Sequence, residues 1–191
     1  MLHPIGGFSC VAVLAVASAV LGCPAGEQEV PEKLWPPANE QLLFRVRAKG
    51  DQVYVCQREA GQFGWMLKAP DAQLFDQDGK SFGKHFAGPS WEANDGSRVT
   101  GKAVANAPSP DADSIPWLLV SVVSHGNKVG LTQDKPAEHL NINNGILSRV
   151  MTIQRLNTKG GKAPAAGCDS SHSGAEVRVP YSADYLFYAP K

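Results

Sequence analysis

The sequence carries no excess charge of either sign, because 18 lysines and arginines balance 18 aspartates and glutamates. A protein that attracts nucleic acid or an anionic membrane surface through its overall field needs a basic surplus. The charge balance therefore argues against both kinds of partner. We expect no nucleic acid to bind, and contact with a membrane only through a covalently attached lipid.

Several motifs of nucleotide-dependent and metal-dependent enzymes are also missing. No Gly-x-Gly-x-x-Gly follows a strand pattern, and no Walker lysine loop occurs, which argues against dinucleotide and nucleotide enzymes. Neither His-Glu-x-x-His nor a pair of Cys-x-x-Cys motifs is present, so the usual zinc signatures are absent as well. We predict no cofactor and no metal, and the motifs assign no catalytic residue.

The chain has no long amphipathic helical pattern and no internal repeat; short alternating runs separated by turn formers take their place. Phe44, Val46 and Ala48 alternate with Arg45 and Arg47, a period of two that is typical of a half-buried strand. Turns are predicted at residues 50–51, 76–79 and 94–97. The predicted fold class is all-β: a single antiparallel sandwich or barrel of about eight to ten short strands with little helix.

Three further segments carry strand patterns. Residues 115–124 form the most apolar run after the leader, and their valines favour a buried central strand over a helix. Residues 176–179 and 184–188 are predicted as two final strands.

The amino terminus has the pattern of an export signal. Residues 8–21 are apolar apart from Ser9, Cys10 and Ser18, a length typical of a signal-peptide core and short for a membrane span. We predict that residues 1–23 are a signal peptide. We therefore expect the protein to be exported: secreted, periplasmic or lipid-anchored. The alternative is a buried amino-terminal helix or strand, because no Lys or Arg precedes Phe8.

The leader ends in Val20-Leu21-Gly22-Cys23, which resembles a bacterial lipoprotein cleavage site at which Cys23 would carry the lipid. Ordinary cleavage nearby, which would release a free protein, is the alternative. Residues 24–40 contain four prolines, at positions 24, 31, 36 and 37, and are predicted as a Pro-rich tether. Residues 41–191 are predicted to form the single all-β domain.

After the leader, Cys56 and Cys168 remain. In an oxidising compartment two such cysteines are expected to form a disulfide, worth roughly 4 to 5 kcal/mol in the chain-entropy model. The alternative is a pair of free buried thiols.

Residues 83–101 concentrate side chains that a simple strand connection does not need, namely His85, Trp91, Asp95 and Arg98. We predict that their surface, together with Trp117, binds a small molecule or a glycan, with rings stacking on tryptophan and polar groups bonding to hydroxyls. The alternative for these residues is structural, in turns and in the core.

Two other functions remain open. A hydrolase or metal-dependent enzyme could use His85 with Glu92 or Asp95 as acid and base or as ligands. A structural or interaction protein of the cell envelope would need no small-molecule site.

Several blocks in order resemble one known family: residues 53–56, Trp65 with 69–70, 79, 83–86, 88–92, 95–97, 115–119, 153–155, 157–161, 167–168 and 181–188. They are similar to those of the family catalogued as domain of unknown function 3455. The resemblance covers about residue 41 to residue 188. The resemblance implies a bacterial or fungal protein, because the family occurs in both groups, and its members commonly carry an amino-terminal secretion signal. It implies no activity.

Overall fold

Eight antiparallel strands close into a barrel in the computed structural model, which describes residues 29–127 and 145–191. Each strand pairs with its neighbours along the chain, and the last pairs with the first. The strands are β1 Glu40–Glu59, β2 Gln62–Phe75, β3 Ser81–Phe86, β4 Ser90–Ala93, β5 Ser97–Ala107, β6 Trp117–Asn127, β7 Thr152–Gly160 and β8 Glu176–Pro190. The predicted all-β fold class is confirmed, and of its two alternatives, sandwich and barrel, the structure is the barrel.

Alternation along each strand separates the inside of the barrel, the lumen, from its outer wall. On β1, Val46 and Ala48 are buried in the lumen, whereas Arg47 and Lys49 are exposed on the outside. On β8 the lumen-facing side chains are every second residue from Tyr181 to Phe187. The strand connections therefore lie at two opposite ends. The upper end holds residues 60–61, 87–89, 108–116 and 161–175, and the lower end holds residues 76–80, 94–96 and 145–151.

The lumen has a polar half and an apolar half. Apolar side chains fill it towards the lower end, where Phe44 stacks on Phe187 with ring centroids 4.8 Å apart and Phe82 lies 5.2 Å from Phe44. Leu147 and Val150, both fully buried, pack into the same cluster from the segment before β7. Towards the upper end the lumen is lined by polar and aromatic side chains instead: Gln52, Tyr54, His85, Trp91, Arg155, Tyr181 and Tyr185.

Residues 30–37 cross the outer wall of the barrel, and we call this segment the strap. A short 3-10 helix, Glu32–Leu34, places Leu34 in a second buried cluster with Ala107, Trp117, Leu156 and Leu186. Gln154 Nε2 donates a hydrogen bond of 2.6 Å to the carbonyl oxygen of Leu34. The segment predicted as a tether is therefore fixed to the barrel from Val30 onward, because Leu34 gains a buried apolar site there.

The predicted turn at residues 50–51 is wrong, and β1 runs straight through it. A Cβ at Gly50 would lie 2.2 Å from the carbonyl oxygen of Asp71, so this glycine permits a close approach of β1 to β2. The two strands predicted at the carboxyl terminus are one strand, β8, whose Pro180 lies within it. The turns at 76–79 and 94–97 and the strand over 115–124 are confirmed in place, the last as β6.

Cys56 on β1 forms the predicted disulfide with Cys168 in the connection between β7 and β8. The bridge fastens this long upper-end connection to the barrel wall, and Gly174 N donates a further hydrogen bond of 2.8 Å to Cys56 O. The predicted signal peptide and the predicted lipid site at Cys23 lie outside the described residues. Within the described ranges, no helix has the length and apolar character needed to cross a membrane.

Candidate functional site

The polar half of the lumen is built around three rings in contact. The ring of His85 stacks on that of Trp91, with centroids 4.3 Å apart and 11° between the planes. Tyr185 meets both edge-on, at 5.0 Å from His85 and 5.5 Å from Trp91. His85 and Trp91 are direct partners across β3 and β4. β8 lies on the opposite side of the barrel, so the inward-facing side chain of Tyr185 meets both rings across the lumen.

Four buried polar atoms in this half of the lumen have no hydrogen bond of ordinary geometry to the described residues: Gln52 Nε2, Trp91 Nε1, Tyr181 Oη and Tyr185 Oη. The hydroxyls of Tyr181 and Tyr185 do approach each other, and that of Tyr185 approaches Arg155. All four belong to side chains that are at most 4% exposed. Because more than nine in ten buried polar groups in proteins are hydrogen-bonded, four such atoms in one half of the lumen need an explanation. They can each donate a proton, and the indole and amide nitrogens can only donate. The polar half of the lumen therefore suits a ligand that offers hydrogen-bond acceptors.

Arg155 adds the positive charge of this region. It lies on β7 opposite Tyr185 of β8 and Leu118 of β6, on the same face as Ile153 of the core. Its Nε and Nη2 donate hydrogen bonds of 3.1 and 2.9 Å to the carbonyl oxygen of Pro116 at the upper end. The guanidinium thus lies at the upper end of the polar half.

The burial of these groups sets their protonation. Burial lowers the pKa of His85 to about 3, against a smaller opposing effect of its hydrogen bond to Ser90. Burial, and then the neighbouring Tyr185, raises the pKa of Tyr181 far above its ordinary value, and burial also raises that of Tyr185. At neutral pH the histidine and both tyrosines are therefore uncharged, and the tyrosines keep their hydroxyl protons.

Arg98, which the sequence suggested as a ligand contact, lies on the outer wall. Its Nε donates to Glu92 Oε2 at 2.9 Å, its Nη2 donates to the same oxygen, and its guanidinium lies 5.1 Å from the centre of the Phe86 ring. Burial by itself raises the pKa of Glu92, but Arg98 and Lys84 more than offset this and lower it. Arg98 and Glu92 thus form an ion pair across β4 and β5.

Asp95 lies in the turn between β4 and β5, at the lower end. Its Oδ1 accepts from the backbone N of Ser97 at 2.9 Å and from Ser97 Oγ at 2.6 Å, and its Oδ2 accepts from Ile146 N at 2.7 Å. Leu147 N donates to Ser97 Oγ at 3.2 Å. The Asp95 side chain therefore holds in place the segment that packs Leu147 and Val150 into the lower end.

Trp117, the fifth residue suggested by the sequence, is 2% exposed on the outer wall beneath the strap, in contact with the Leu34 cluster. The structure thus brings His85 and Trp91 together in the lumen and places Asp95, Arg98 and Trp117 elsewhere. Whether any of the five contacts a ligand stays a prediction.

The residues named for the enzyme alternative do not lie together in one site. His85 and Glu92 lie on opposite faces of the wall, since Lys84 and not His85 is the direct partner of Glu92 across β3 and β4. Asp95 is held by Ser97 and Ile146 at the other end. Among the described residues no group of three or more His, Cys, Asp or Glu side chains could hold a metal ion.

Two other clusters imitate a hydrolase site. Residues 79–83 read Gly-x-Ser-x-Gly, but Ser81 begins β3 in a hairpin, whereas the nucleophile elbow requires a strand followed by a helix. Asp169, Ser171 and His172 also contact one another, at 2.6 to 3.1 Å. Both partners meet the same nitrogen of His172, Nδ1, so the ring cannot relay a proton between them as a triad requires; Asp169 instead caps a 3-10 helix.

The outer wall carries shallow grooves near the lower end. One of about 510 Å³ is lined by Arg45, Arg47, Lys49, Phe75, Asp76 and Asp184, among others. A smaller one of about 250 Å³ lies against the stretch named by the sequence and includes Lys84, Glu92 and Asn94. Some of their charged side chains pair with one another, as Arg47 does with Asp184 and Lys84 with Glu92. The unpartnered polar atoms of the lumen are the stronger indication of a binding site.

These features define the class of protein. It is an up-and-down antiparallel β-barrel of eight strands, an architecture whose interior is either filled by side chains or holds one small ligand. The chain belongs to the family described as protein of unknown function (DUF3455), whose model matches residues 36–189. No curated protein and no solved structure matches the chain. The resemblance read from the sequence is confirmed.

Sequence reasoning missed most of the lumen wall, namely Gln52, Arg155, Tyr181 and Tyr185. The spacing of Tyr181, Ala183, Tyr185 and Phe187 places them on one face of β8, which was the available signal. Arg155 offered none, because an arginine in a strand is normally assigned to the solvent side.

Proposed function

We propose that this protein binds a small polar molecule in the polar half of its lumen. The observation that carries the proposal is that four buried polar atoms of this half, on Gln52, Trp91, Tyr181 and Tyr185, have no hydrogen-bond partner of ordinary geometry among residues 29–127 and 145–191. A buried unpartnered donor costs about 1 to 3 kcal/mol. A ligand that supplies acceptors to several of them recovers that cost on binding.

The proposal keeps His85 and Trp91 from the sequence prediction and moves the ligand from the surface to the interior. Trp91 is 2% exposed and one face of its indole is covered by His85. It therefore presents its N–H edge and not an open ring face, which disfavours a long glycan lying on the outer surface. A small molecule, including a single sugar, matches the lumen better.

The site of action belongs to the same proposal. The apolar leader over residues 8–21 and the disulfide between Cys56 and Cys168 both support an exported protein, since disulfides persist in oxidising compartments. A lipid on Cys23 would hold it at the cell envelope. The mass of the amino-terminal peptide of the mature protein tests both export and the lipid anchor. A peptide that begins near position 24 and carries no lipid contradicts the anchor.

Binding is tested by the thermal shift of the purified protein, disulfide intact, with single sugars, polyols, amino acids and small organic acids. A ligand at 100 times its Kd stabilises the folded state by about 2.7 kcal/mol. Ordered water would satisfy the same four atoms, so variants must show that the ligand uses them. Tyr185→Phe and Trp91→Phe keep a ring and remove the polar atom, and each is expected to weaken binding about two- to tenfold.

Tyr188→Phe is the matched control. The hydroxyl of Tyr188 lies on the outer wall and donates to Gln154 Oε1 at 2.5 Å, so its removal should leave binding unchanged. A hit whose affinity is the same in native protein and in Tyr185→Phe and Trp91→Phe contradicts lumen binding. A blank screen, with a crystal structure that shows only water at the four atoms, contradicts it as well.

A further inference from the structure

The charge of the lumen is set by Arg155. Its two bonds to Pro116 reach a neutral carbonyl oxygen, which leaves the charge uncompensated. No carboxylate within residues 29–127 and 145–191 forms an ion pair with it. Two of the five guanidinium N–H groups bond to Pro116, the guanidinium also interacts with the Tyr185 hydroxyl, and the remaining N–H groups can bond to another acceptor.

The other polar groups of this half are neutral. Gln52 and Trp91 carry no charge, and the two tyrosines keep their protons because burial raises their pKa values. His85 is neutral because burial lowers its pKa to about 3. None of the lumen-facing side chains described above is an aspartate or a glutamate. The polar half thus presents one positive charge and four hydrogen-bond donors.

We infer that the molecule bound in the lumen is an anion, with a carboxylate that Arg155 binds while the Tyr181, Tyr185, Trp91 or Gln52 donors take its remaining acceptors. The inference rests on the lumen binding proposed above and adds its chemical class. A planar guanidinium fits a carboxylate, and hydrogen bonds between charged partners are about twice as strong as neutral ones. An anion also compensates the charge of Arg155, which a neutral guest does not.

The test compares acids with amides of the same shape: acetate with acetamide, benzoate with benzamide, and 4-hydroxybenzoate with 4-hydroxybenzamide. Affinities are measured by titration calorimetry on the purified protein at pH 7, where the acids are ionised. At least one acid is expected to bind about ten- to a hundredfold more tightly than its amide, the difference typical of a charge-assisted hydrogen bond.

Arg155→Gln is expected to remove this preference and Arg155→Lys, which keeps the charge, to retain part of it. Arg149→Gln is the matched control, because Arg149 is exposed and donates to Pro190 O at the lower end; it should leave the preference intact. Near-ultraviolet circular dichroism checks that each variant is folded. Should Arg155→Gln fail to fold, the acid and amide pairs on native protein and on Arg155→Lys still decide the question.

Equal affinities for acid and amide would overturn the anionic class of ligand but not lumen binding itself. The same holds if the broader screen finds a neutral ligand and no acid binds. An acid preference that persists in Arg155→Gln would overturn the role of Arg155. If no acid binds and the broader screen is also blank, the inference and the proposed function both fail.

Discussion

His85 lies flat against Trp91 inside the barrel, with 4.3 Å between their ring centroids, and its Nδ1 is 2.8 Å from the carbonyl oxygen of Ser90. Since a carbonyl only accepts, Nδ1 carries the proton of the neutral ring. Both side chains are at most 3% exposed. The pair forms one wall of the polar half of the lumen, and a charged imidazolium there would lack water to solvate it.

The stability of the protein should therefore depend on pH through His85. Its pKa is about 3 in the folded state, against an ordinary value of 6.5. Between these values the unfolded chain binds a proton that the folded chain does not. The free energy of unfolding should thus be highest above pH 6.5 and fall as the pH drops towards 3, by at most about 1.4 kcal/mol per pH unit.

Urea unfolding at pH 7, 6, 5 and 4 measures this slope, and His85→Gln should remove its share of it. The exposed His172 provides the control variant, His172→Gln. Parallel stability curves for native protein and His85→Gln between pH 4 and pH 6.5 would show that His85 does not titrate as described.

Gly101→Ala should destabilise the barrel by about 1 to 3 kcal/mol through overpacking. A Cβ at this position would lie 2.3 Å from Val120 Cγ1 and 3.2 Å from Trp91 Cζ3, so the lumen wall must shift. The matched control is Gly64→Ala on β2, where a Cβ meets nothing within 4 Å; it should be neutral or stabilise slightly. Chemical denaturation compares the two, and equal effects would contradict the packing argument.

Leu34→Ala should cost about 2 to 5 kcal/mol, because Leu34 is fully buried between the strap and the outer wall. Trp35→Ala serves as the control, since Trp35 is 54% exposed and should change stability much less. The denaturant midpoint at constant slope gives both values. A strap that contributed nothing to folding would leave Leu34→Ala as stable as Trp35→Ala.

Replacing both Cys56 and Cys168 by alanine should lower the free energy of unfolding by roughly 4 to 5 kcal/mol, because the bridge closes a loop over a sequence separation of 112 residues. Denaturant unfolding of the double variant and of native protein measures the difference. Peptide mapping without reductant should recover the cross-linked fragment. Two alkylated thiols in the native protein would contradict the bridge.

The outcome for residues 83–101 shows how far a site can be predicted from residue types. The turn at Asp95 and the strands around it were predictable from local chemistry, because Asp-Gly pairs favour tight turns between strands. That His85 and Trp91 meet Tyr185 was not, because β8 reaches them only across the closed barrel. Clustering along the chain therefore predicted two of the lumen residues and gathered two others, Asp95 and Arg98, that the barrel places elsewhere.

Gly50 shows the same limit for a single residue. Glycine followed by aspartate is a turn signal, yet here the glycine lies mid-strand, where β2 approaches too closely for a side chain. Local propensity contains no information about that neighbour.

By itself the sequence determined the all-β class, most turns, the partner of Cys56 and the family, because alternation, turn residues and cysteine count are local or compositional properties. Only the tertiary structure decided which face of each strand lies in the lumen. On β8 both faces are buried, Tyr185 and Phe187 inside the barrel and Leu186 in the outer cluster with Trp117 and Leu34. An alternating pattern separates such faces but cannot say which is inside, because that depends on how the barrel closes and where the strap lies.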